Sequence, residues 1–316
     1  MKEALAAWAQ IAPGLGCAPG AYKAKLIWQK DEPARSHVVI RLKGPRPLIL
    51  KQVFKSPEDA GLAQSVAAQQ DAFDRLRDHA DAHAPEVLYS NDDGTLVVMA
   101  EATGKTLNDH LTAGRKPADM LRRTGAWLAA FHGSSPPEVR TYQPKFMVAH
   151  ANRMADAVTE GRLSVALPDL FVHCCWGLGS HAEQAEGQQT LSTIKHGDFN
   201  MRNVLLGPDG ATGLDFKPVS TAPVGFDIAR VLMDFAELFQ RGRDLSPGAV
   251  LSEETLAAFF SGYDLVGLDD PSVRFVPYVQ LLNDWRLIPP DPQRRSWRQT
   301  ARMTAIERLA RNGFET

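Results

Sequence analysis

The segment 195–216, KHGDFNMRNVLLGPDGATGLDF, constrains the fold and chemistry of this chain more than any other. Asp198 follows a His-Gly pair, and Asn203 comes five residues later. An apolar run, a Pro-Asp-Gly turn and a second run ending at Asp215 then predict a β-hairpin. One carboxylate of such a set can accept a proton from an alcohol. The other carboxylate and the amide oxygen are ligands that Mg²⁺ prefers. The segment therefore predicts a phosphoryl-transfer site on a small sheet.

This pattern resembles the catalytic loop of the aminoglycoside phosphotransferase and choline kinase-like group of small-molecule kinases. Their loop reads His-Gly-Asp, four residues, then Asn. The protein kinase version carries Arg where this chain has Gly197, and no Ala-Pro-Glu motif follows Asp215. The small-molecule branch is therefore favoured over a protein kinase. The resemblance implies that Asp198 is the catalytic base, that Asn203 and Asp215 bind Mg²⁺, and that ATP is the phosphoryl donor. The structural alternative is that these residues cap a turn and end a strand.

Composition excludes several other classes of protein. The 316 residues carry a formal net charge of −2, whereas dedicated nucleic-acid-binding domains are usually strongly basic. Three cysteines cannot build a disulfide framework, and adjacent Cys174 and Cys175 are expected to be buried small side chains. No run of 18 or more apolar residues is present, and residues 1–12 lack a signal-peptide core. We expect a soluble cytoplasmic protein without a membrane or nucleic-acid partner; its oligomeric state is not predicted.

The first hundred residues predict a small β-rich lobe. A short helix covers 1–12, and a longer helix over 57–79 is opened by Ser56 as N-cap and Pro57 at its first position. Alternation predicts a strand over 22–28, and two further strands are predicted over 37–43 and 47–54, joined by a turn at Gly44-Pro45. Residues 86–90 and 95–100 are predicted to form a hairpin around the turn 91–94. The order of three strands, a helix and two strands is that of a kinase-like N-terminal lobe.

The remainder of the chain is predicted to be mostly helical. Thr103-Gly104-Lys105 breaks the strand pattern, so a hinge is expected at about 99–104, between lobes 1–101 and 102–316. Helices are predicted over 106–112, 117–132, 144–160, 168–186, 226–240, 252–262, 272–285 and 293–312. The catalytic hairpin supplies the only strands predicted in this half. The expected fold is therefore α+β, a two-lobed protein-kinase-like fold with a large helical C-lobe.

Four positions are candidates for nucleotide contacts under the resemblance. Lys51 ends an apolar strand and would pair with the ATP phosphates, whereas a lone strand-end lysine ordinarily extends into solvent. Met99 and Glu101 lie in the segment whose backbone would bond the adenine ring. Ser36 is a candidate for a phosphate contact from the loop between the first two strands.

Two features depart from the family pattern. The loop 29–36 contains no glycine, so its backbone cannot approach phosphates closely. The glutamate that normally braces the strand lysine is also absent; Gln69 is the nearest match, and Asp71 or Glu58 could substitute. These departures leave open a second hypothesis, a catalytically weak nucleotide-binding pseudokinase that acts through a partner.

Asp227 is expected to support the catalytic loop, and His132 and His196 are interpreted as structural.

The acceptor is predicted only by class. The C-terminal region is basic, with Arg286, Arg294, Arg295, Arg298, Arg302, Arg308 and Arg311. These arginines either lie on a solvated helix or line a pocket for an anionic substrate. We expect phosphorylation of a hydroxyl on a small molecule, such as a sugar, an amino alcohol or a related metabolite. A neutral or anionic acceptor is expected rather than a polycationic aminoglycoside.

Overall fold

The computed structural model describes residues 1–56, 59–240 and 245–314, which form a mixed α+β fold. The chain divides into two compact units. Unit 1 comprises Met1–Lys105, His196–Asp198 and Asn203–Ser220, and unit 2 comprises the rest. The predicted lobes place the catalytic hairpin in the second half of the chain, whereas the hairpin belongs to unit 1 in space. The reason is pairing, because the last strand of the hairpin pairs with residues 82 and 83.

Unit 1 contains a five-stranded antiparallel sheet. The elements of its first part are α1 (Lys2–Ile11), β1 (Lys23–Glu32), β2 (Arg35–Lys43), β3 (Leu48–Lys55), α2 (Asp59–Leu76), β4 (Ala82–His83), β5 (Val87–Ser90), β6 (Leu96–Ala100) and β7 (Lys105–Thr106). The strand order is β1-β2-β3-β6-β5. The predicted start of α2 at Pro57 lies outside the described residues.

The two faces of this sheet have different roles because side chains alternate along each strand. One face packs under α1 and forms a core of Ala4, Trp8, Ala12, Val38, Ile40, Leu42, Leu48, Leu50, Leu96 and Val98. The other face carries the intervening residues. Val39 lies opposite Lys51, and His37 lies opposite Val53. Burial of the first face therefore fixes the register that directs Lys51 and His37 to the second.

Unit 2 is mainly helical. Its elements, with the two hairpin strands β10 and β11 of unit 1 in chain order, are α3 (Leu107–Thr112), α4 (Pro117–Gly133), β8 (Glu138–Thr141), α5 (Lys145–Thr159), α6 (Pro168–Glu183), β9 (Gln189–Ile194), β10 (Val204–Gly207), β11 (Gly210–Gly213), β12 (Thr221–Pro223), α7 (Gly225–Ala236), α8 (Glu253–Phe260), α9 (Pro271–Arg286) and α10 (Trp297–Gly313). No helix within the described ranges combines the length and the apolar character that crossing a bilayer requires.

The prediction that the catalytic hairpin supplies the only strands of this half is wrong. Strands β12, β9 and β8 form a separate antiparallel sheet. Its central strand buries Thr190, Ser192 and Thr193, so apolar alternation is absent from its sequence. Thr190 Oγ1 donates to the Asp270 carboxylate at 2.9 Å, which stabilises a polar side chain in the interior.

Helix α10 begins four residues later than the predicted start at 293. Residues Pro292–Arg294 form a separate 3₁₀ turn. Ser296 then caps α10 in a capping box with Gln299, in which each side chain bonds the backbone N–H of the other. The cap therefore sets the true start of the helix.

Candidate active site

The hairpin strands β10 and β11 hold the predicted catalytic segment in unit 1. Val204 pairs with Gly213, and Gly207 pairs with Gly210 at the turn. The Leu214 N–H donates to the Asn203 carbonyl at 2.8 Å, which extends the pairing toward Asp215. Val204, Leu206 and Ala211 are buried, so the hairpin packs into the interior of unit 1.

Two residues at these ends have backbone conformations that most residues avoid. Gly197 has φ of 83°, so glycine before Asp198 satisfies a left-handed turn without a Cβ penalty. Asp215 has φ of 58° and is one of two non-glycine residues with positive φ in the described chain. A left-handed non-glycine residue costs on the order of 1–3 kcal/mol and occurs preferentially at functional sites. The strain is consistent with a position selected for its carboxylate.

Asp198 and Asn203 are joined directly. Asn203 Nδ2 donates to the Asp198 carbonyl at 2.9 Å and to its carboxylate Oδ2 at 3.3 Å. The Asp198 N–H lies 3.4 Å from His196 Nδ1, and the buried His196 ring packs against Phe216 with 4.5 Å between ring centroids. The His196 ring therefore supports the loop from within, as expected of a structural residue.

Lys51 reaches the other side of the site. Its Nζ lies 2.6 Å from Asp215 Oδ1, although the two residues are 164 positions apart in sequence. The positive charge of Lys51 holds the pKa of the Asp215 carboxyl below its ordinary value. Asp215 is therefore an ionised carboxylate, the form that a metal ion binds.

A cavity of about 280 Å³ brings these residues together within unit 1. Lys51, Asp198 and Asp215 line it, and Arg35, His37 and Lys55 add positive or ionisable groups. Ser36 is not in the lining, whereas both of its neighbours are. Alternation along β2 explains this difference, since residues 35 and 37 share a face that residue 36 does not; the phosphate contact predicted for Ser36 stays a prediction.

Neither Gln69 nor Asp71, two of the three candidates for the brace, bonds to Lys51 in the described part of the chain. Gln69 Nε2 donates to the Pro85 carbonyl at 3.3 Å and contacts Met99 Sδ at 3.5 Å. Asp71 pairs instead with Arg75 at 2.7 Å. The third candidate, Glu58, lies outside the described residues. Among the residues that the structure describes, Asp215 is the ion-pair partner of Lys51.

The predicted hinge residues occupy different environments. Met99 and Lys51 line a smaller cavity of about 50 Å³, next to Gln69 and Asp215. The Glu101 side chain is ion-paired with Arg41, and its N–H donates to the Pro47 carbonyl at 3.1 Å. The Glu101 N–H is therefore already used, and its carboxylate stabilises the sheet.

His37 was missed at the sequence level. Burial and the positive charge of Lys51 lower the pKa of its imidazole, with smaller effects from Lys30 and Arg35 and an opposite one from Asp215. The register of β2 on β3 is the signal that identifies it, because the residue two before Val39 must share the face of Lys51. Reading that register requires the structure.

The ligands available at this site suit Mg²⁺ better than they suit a metal ion that is bound by protein side chains alone. Within the described residues, no group of three or more His, Cys, Asp and Glu side chains could hold a metal ion. Mg²⁺ is typically bound through one or two carboxylates together with substrate phosphates and water. The ionised Asp215 and the amide of Asn203 match that requirement.

Unit 2 carries a buried network behind the end of α4. His132 Nδ1 lies 2.9 Å from Tyr263 Oη, and its Nε2 lies 3.2 Å from Asp227 Oδ2. Thr193 Oγ1 donates to the His132 carbonyl at 2.8 Å. His132 therefore links α4, α7 and β9, which is a structural role.

Comparisons with known proteins agree with this architecture. The chain is similar to a choline/ethanolamine kinase family protein from Mesorhizobium loti, with 16% identity over 98% of this chain and 94% of the other, at a TM-score of 0.57. It is similar to a putative fructosamine-3-kinase from Thermobifida fusca, with 17% identity over 97% and 99% and a TM-score of 0.54. The amicoumacin kinase hAmiN, solved with AMP-PNP, Ca²⁺ and Ami, has 12% identity over 93% and 89% and a TM-score of 0.53.

These identities establish the protein-kinase-like fold and no more. Curated protein sequences gave no significant match. The family profile described as "Phosphotransferase enzyme family" matches residues 32–276, which span both units and include the catalytic hairpin. The chain therefore belongs to the APH phosphotransferase family.

Proposed function

We propose that this protein is an ATP- and Mg²⁺-dependent phosphotransferase that acts on a hydroxyl of a small molecule such as a sugar, an amino alcohol or a related metabolite. The observation that carries the proposal is the convergence of Lys51, Asp198 and Asp215 on one cavity of about 280 Å³. A phosphoryl-transfer site needs a cation for the phosphates, a carboxylate for the acceptor proton and a metal ligand. These three residues supply one of each.

Asp198 is the proposed base. Its carboxylate accepts a hydrogen bond from Asn203 at 3.3 Å, which fixes its orientation. In the proposed reaction Asp198 orients the acceptor hydroxyl and takes its proton as the oxygen attacks the γ-phosphorus. A positioned base of this kind contributes about 10²–10⁴-fold to the rate. Bound Mg²⁺, held by Asp215 and Asn203, would supply charge neutralisation at the phosphates.

Nucleotide binding is assigned to the face of the sheet opposite the core. Lys51 is the proposed phosphate ligand, and the side chains of Arg35 and Lys55 compensate for the missing glycine loop by supplying positive charge. The adenine is assigned to the backbone near Met99. Because the Glu101 N–H is already bonded to Pro47, Ala102 is the proposed backbone donor in its place.

A non-catalytic nucleotide-binding protein is the second candidate, and one observation favours it. Lys51 pairs with Asp215 and not with an acidic residue of α2 in the described part of the chain. In that state Lys51 and Asp215 Oδ1 bind each other and not a phosphate or a metal ion. A pseudokinase would retain this pair, whereas an active kinase would exchange it for Mg²⁺ and phosphate.

One experiment separates the two candidates. Thermal stability is measured with AMP-PNP, with and without Mg²⁺, and ADP release from ATP is measured against sugars, amino alcohols, hydroxy acids and aminoglycosides. The kinase proposal is supported by Mg²⁺-dependent stabilisation together with acceptor-dependent ADP release that Asp198→Asn removes. Stabilisation without ADP release for any acceptor supports the pseudokinase, and no stabilisation by any nucleotide contradicts both. Binding of AMP-PNP together with a divalent ion by the similar amicoumacin kinase makes this ligand pair the appropriate probe.

A further inference from the structure

The first strand of unit 1 is an exposed edge of its sheet. Strand β1 pairs with β2 on one side, and the strand order leaves its other side without a partner strand in the described part of the chain. Nine of its ten residues are exposed, so neither face of the strand is covered. The N–H and C=O groups that point away from β2 are therefore available for pairing with a further strand.

The centre of this edge is apolar. Leu26, Ile27 and Trp28 are 39%, 50% and 53% exposed. None of the three belongs to the hydrophobic core that unit 1 forms beneath α1 within the described residues. Edge strands are commonly protected from association by proline or by central charges, whereas the segment 23–32 contains no proline and its charges lie outside 26–29. Burial of these side chains against another strand would therefore be favourable.

The two ends of the strand carry different charges. Lys23 and Lys25 lie at its start, and Asp31 lies near its end. Pairing with β2 places Lys23 opposite Lys43 and Asp31 opposite Ser36, so the adjacent strand puts no opposite charge across from either residue. Two copies of β1 that run antiparallel would bring the basic start of each next to the acidic residue of the other. A parallel pair would bring like charges together, which is unfavourable.

We propose that two copies of this chain pair through β1, antiparallel to one another, about a two-fold axis at Ile27. This register places the two Ile27 side chains opposite each other. It also places Leu26 of each copy opposite Trp28 of the other, and Lys23 of each copy opposite Asp31 of the other. Because the interface is isologous, each of the last two contacts occurs twice. The two five-stranded sheets then form one continuous sheet.

Neighbouring registers match less well. An axis at Leu26 would place Lys25 opposite Ile27, and an axis at Trp28 would place Leu26 opposite Lys30. The pairing of β1 with β2 is irregular between Leu26 and Trp28, and Ile27 has no partner on β2. Such a bulge increases the local twist of a strand. An axis at Ile27 brings the bulges of both copies together, so that each strand meets a partner of the same twist.

The first test measures mass against concentration. Analytical ultracentrifugation over the micromolar range should show the wild-type protein passing from monomer to dimer as its concentration rises. Ile27→Lys places two lysines at the axis and should stay monomeric. Val139→Lys, at an exposed apolar residue of the edge strand β8 in unit 2, is the matched control and should dimerise as wild type. A wild-type protein that is monomeric throughout, or undiminished dimerisation of Ile27→Lys, overturns the proposal.

A charge exchange tests the register. Lys23→Asp and Asp31→Lys each convert two opposite-charge pairs into like-charge pairs, so each should raise the dimer dissociation constant about tenfold. The double variant restores both pairs with the charges exchanged and should return to the wild-type value. Because Lys23 lies opposite Lys43 on β2, Lys23→Asp should not destabilise the monomer. A double variant that dimerises no better than the single variants overturns the proposed pairing.

A cross-link locates the axis directly. In a Cys17→Ser background, whose two remaining native cysteines are buried, Ile27→Cys places two thiols opposite each other. The Cα atoms of opposed residues in an antiparallel pair lie about 4.5–5.5 Å apart, a distance that a disulfide spans. Copper-catalysed air oxidation should yield a covalent dimer of this variant, whereas Val139→Cys in the same background should remain monomeric on denaturing gels. Equal cross-linking of both variants, or none at Ile27→Cys, overturns the axis. These measurements use neither nucleotide nor acceptor, so their outcome is independent of the proposed phosphotransferase function.

Discussion

At the residue scale, the ion pair between Lys51 and Asp215 joins two groups that the proposed reaction must separate. Their atoms lie 2.6 Å apart, which leaves no room for a metal ion between them. Mg²⁺ would compete with Lys51 for the carboxylate, and the nucleotide phosphates would give Lys51 a new partner. Metal and nucleotide should therefore bind cooperatively, because each ligand contributes to breaking the Lys51–Asp215 ion pair that opposes binding of the other.

Replacing Asp215 tests this coupling. We expect Asp215→Ala to lose the Mg²⁺-dependent part of nucleotide affinity, because the main carboxylate ligand is deleted. Loss of even an outer partner of a metal ligand typically costs about 10- to 100-fold in metal affinity, so the effect should be at least that large. Titration of AMP-PNP with and without Mg²⁺ measures it. Asp209→Ala, on the exposed turn of the same hairpin, is the control and should retain the Mg²⁺ effect; equal effects in both variants would remove Asp215 from the metal site.

Replacing Asp198 tests the base. Asp198→Asn keeps the shape of the side chain and an oxygen that can accept from Asn203, so the loop should remain folded. The kcat on a verified acceptor should fall by about 10²–10⁴-fold while AMP-PNP affinity stays within about twofold. Steady-state kinetics and a nucleotide titration on the same preparation provide the measurement. Wild-type kcat in this variant means that another group takes the proton.

At the scale of elements, Gly104 allows the hairpin to approach the chain that leaves β6. Its φ is +116°, and a Cβ at this position would lie 2.8 Å from the carbonyl group of Leu206 in β10. A side chain would therefore require both a strained backbone and a displaced strand. The sequence indicated a break at Gly104 but gave no sign that glycine is required by packing against the hairpin.

Gly104→Ala should destabilise the protein more than the same substitution at a glycine that has positive φ but no close neighbour. Gly114 also has positive φ, +78°, but no atom lies within 4 Å of the position that a Cβ would take there. We expect Gly114→Ala to lower the free energy of unfolding by about 1–2 kcal/mol through backbone strain. Gly104→Ala should lower it further, because the clash with Leu206 adds to the strain. Urea unfolding of both variants measures the difference. Similar midpoints would show that the hairpin can move away from residue 104 at little cost.

At the scale of the whole molecule, the sequence predicted those features that depend on local pattern. Strand β2 alternates between buried and more exposed residues, and the motif around Asp198 combines fixed spacing with a turn signal, so both were identifiable. The three-stranded sheet of unit 2 was missed because its buried threonines and serine are stabilised by partners distant in sequence, such as Asp270. His37 was missed for the same reason, since only tertiary structure brings it next to Lys51.

The cysteines provide a test of the folded core as a whole. Cys174 and Cys175 are fully buried in α6, and burial raises the pKa of each thiol to about 12. Cys17, in contrast, is only partly buried, and its Sγ lies 3.3 Å from Tyr22 Oη. Because the thiolate is the reactive form, raising the pH from 7 to 9 leaves the two buried thiols protonated in the native protein.

Thiol titration with a disulfide reagent should therefore distinguish native from unfolded protein. At pH 8 we expect at most one thiol, Cys17, to react in the native state, and all three cysteines to react in denaturant. Cys17→Ser should abolish native labelling and leave two thiols that react only after unfolding. Rapid labelling of Cys174 or Cys175 without denaturant would mean that α6 opens on the timescale of the assay, and hence that the helical core of unit 2 is much less stable than its burial implies.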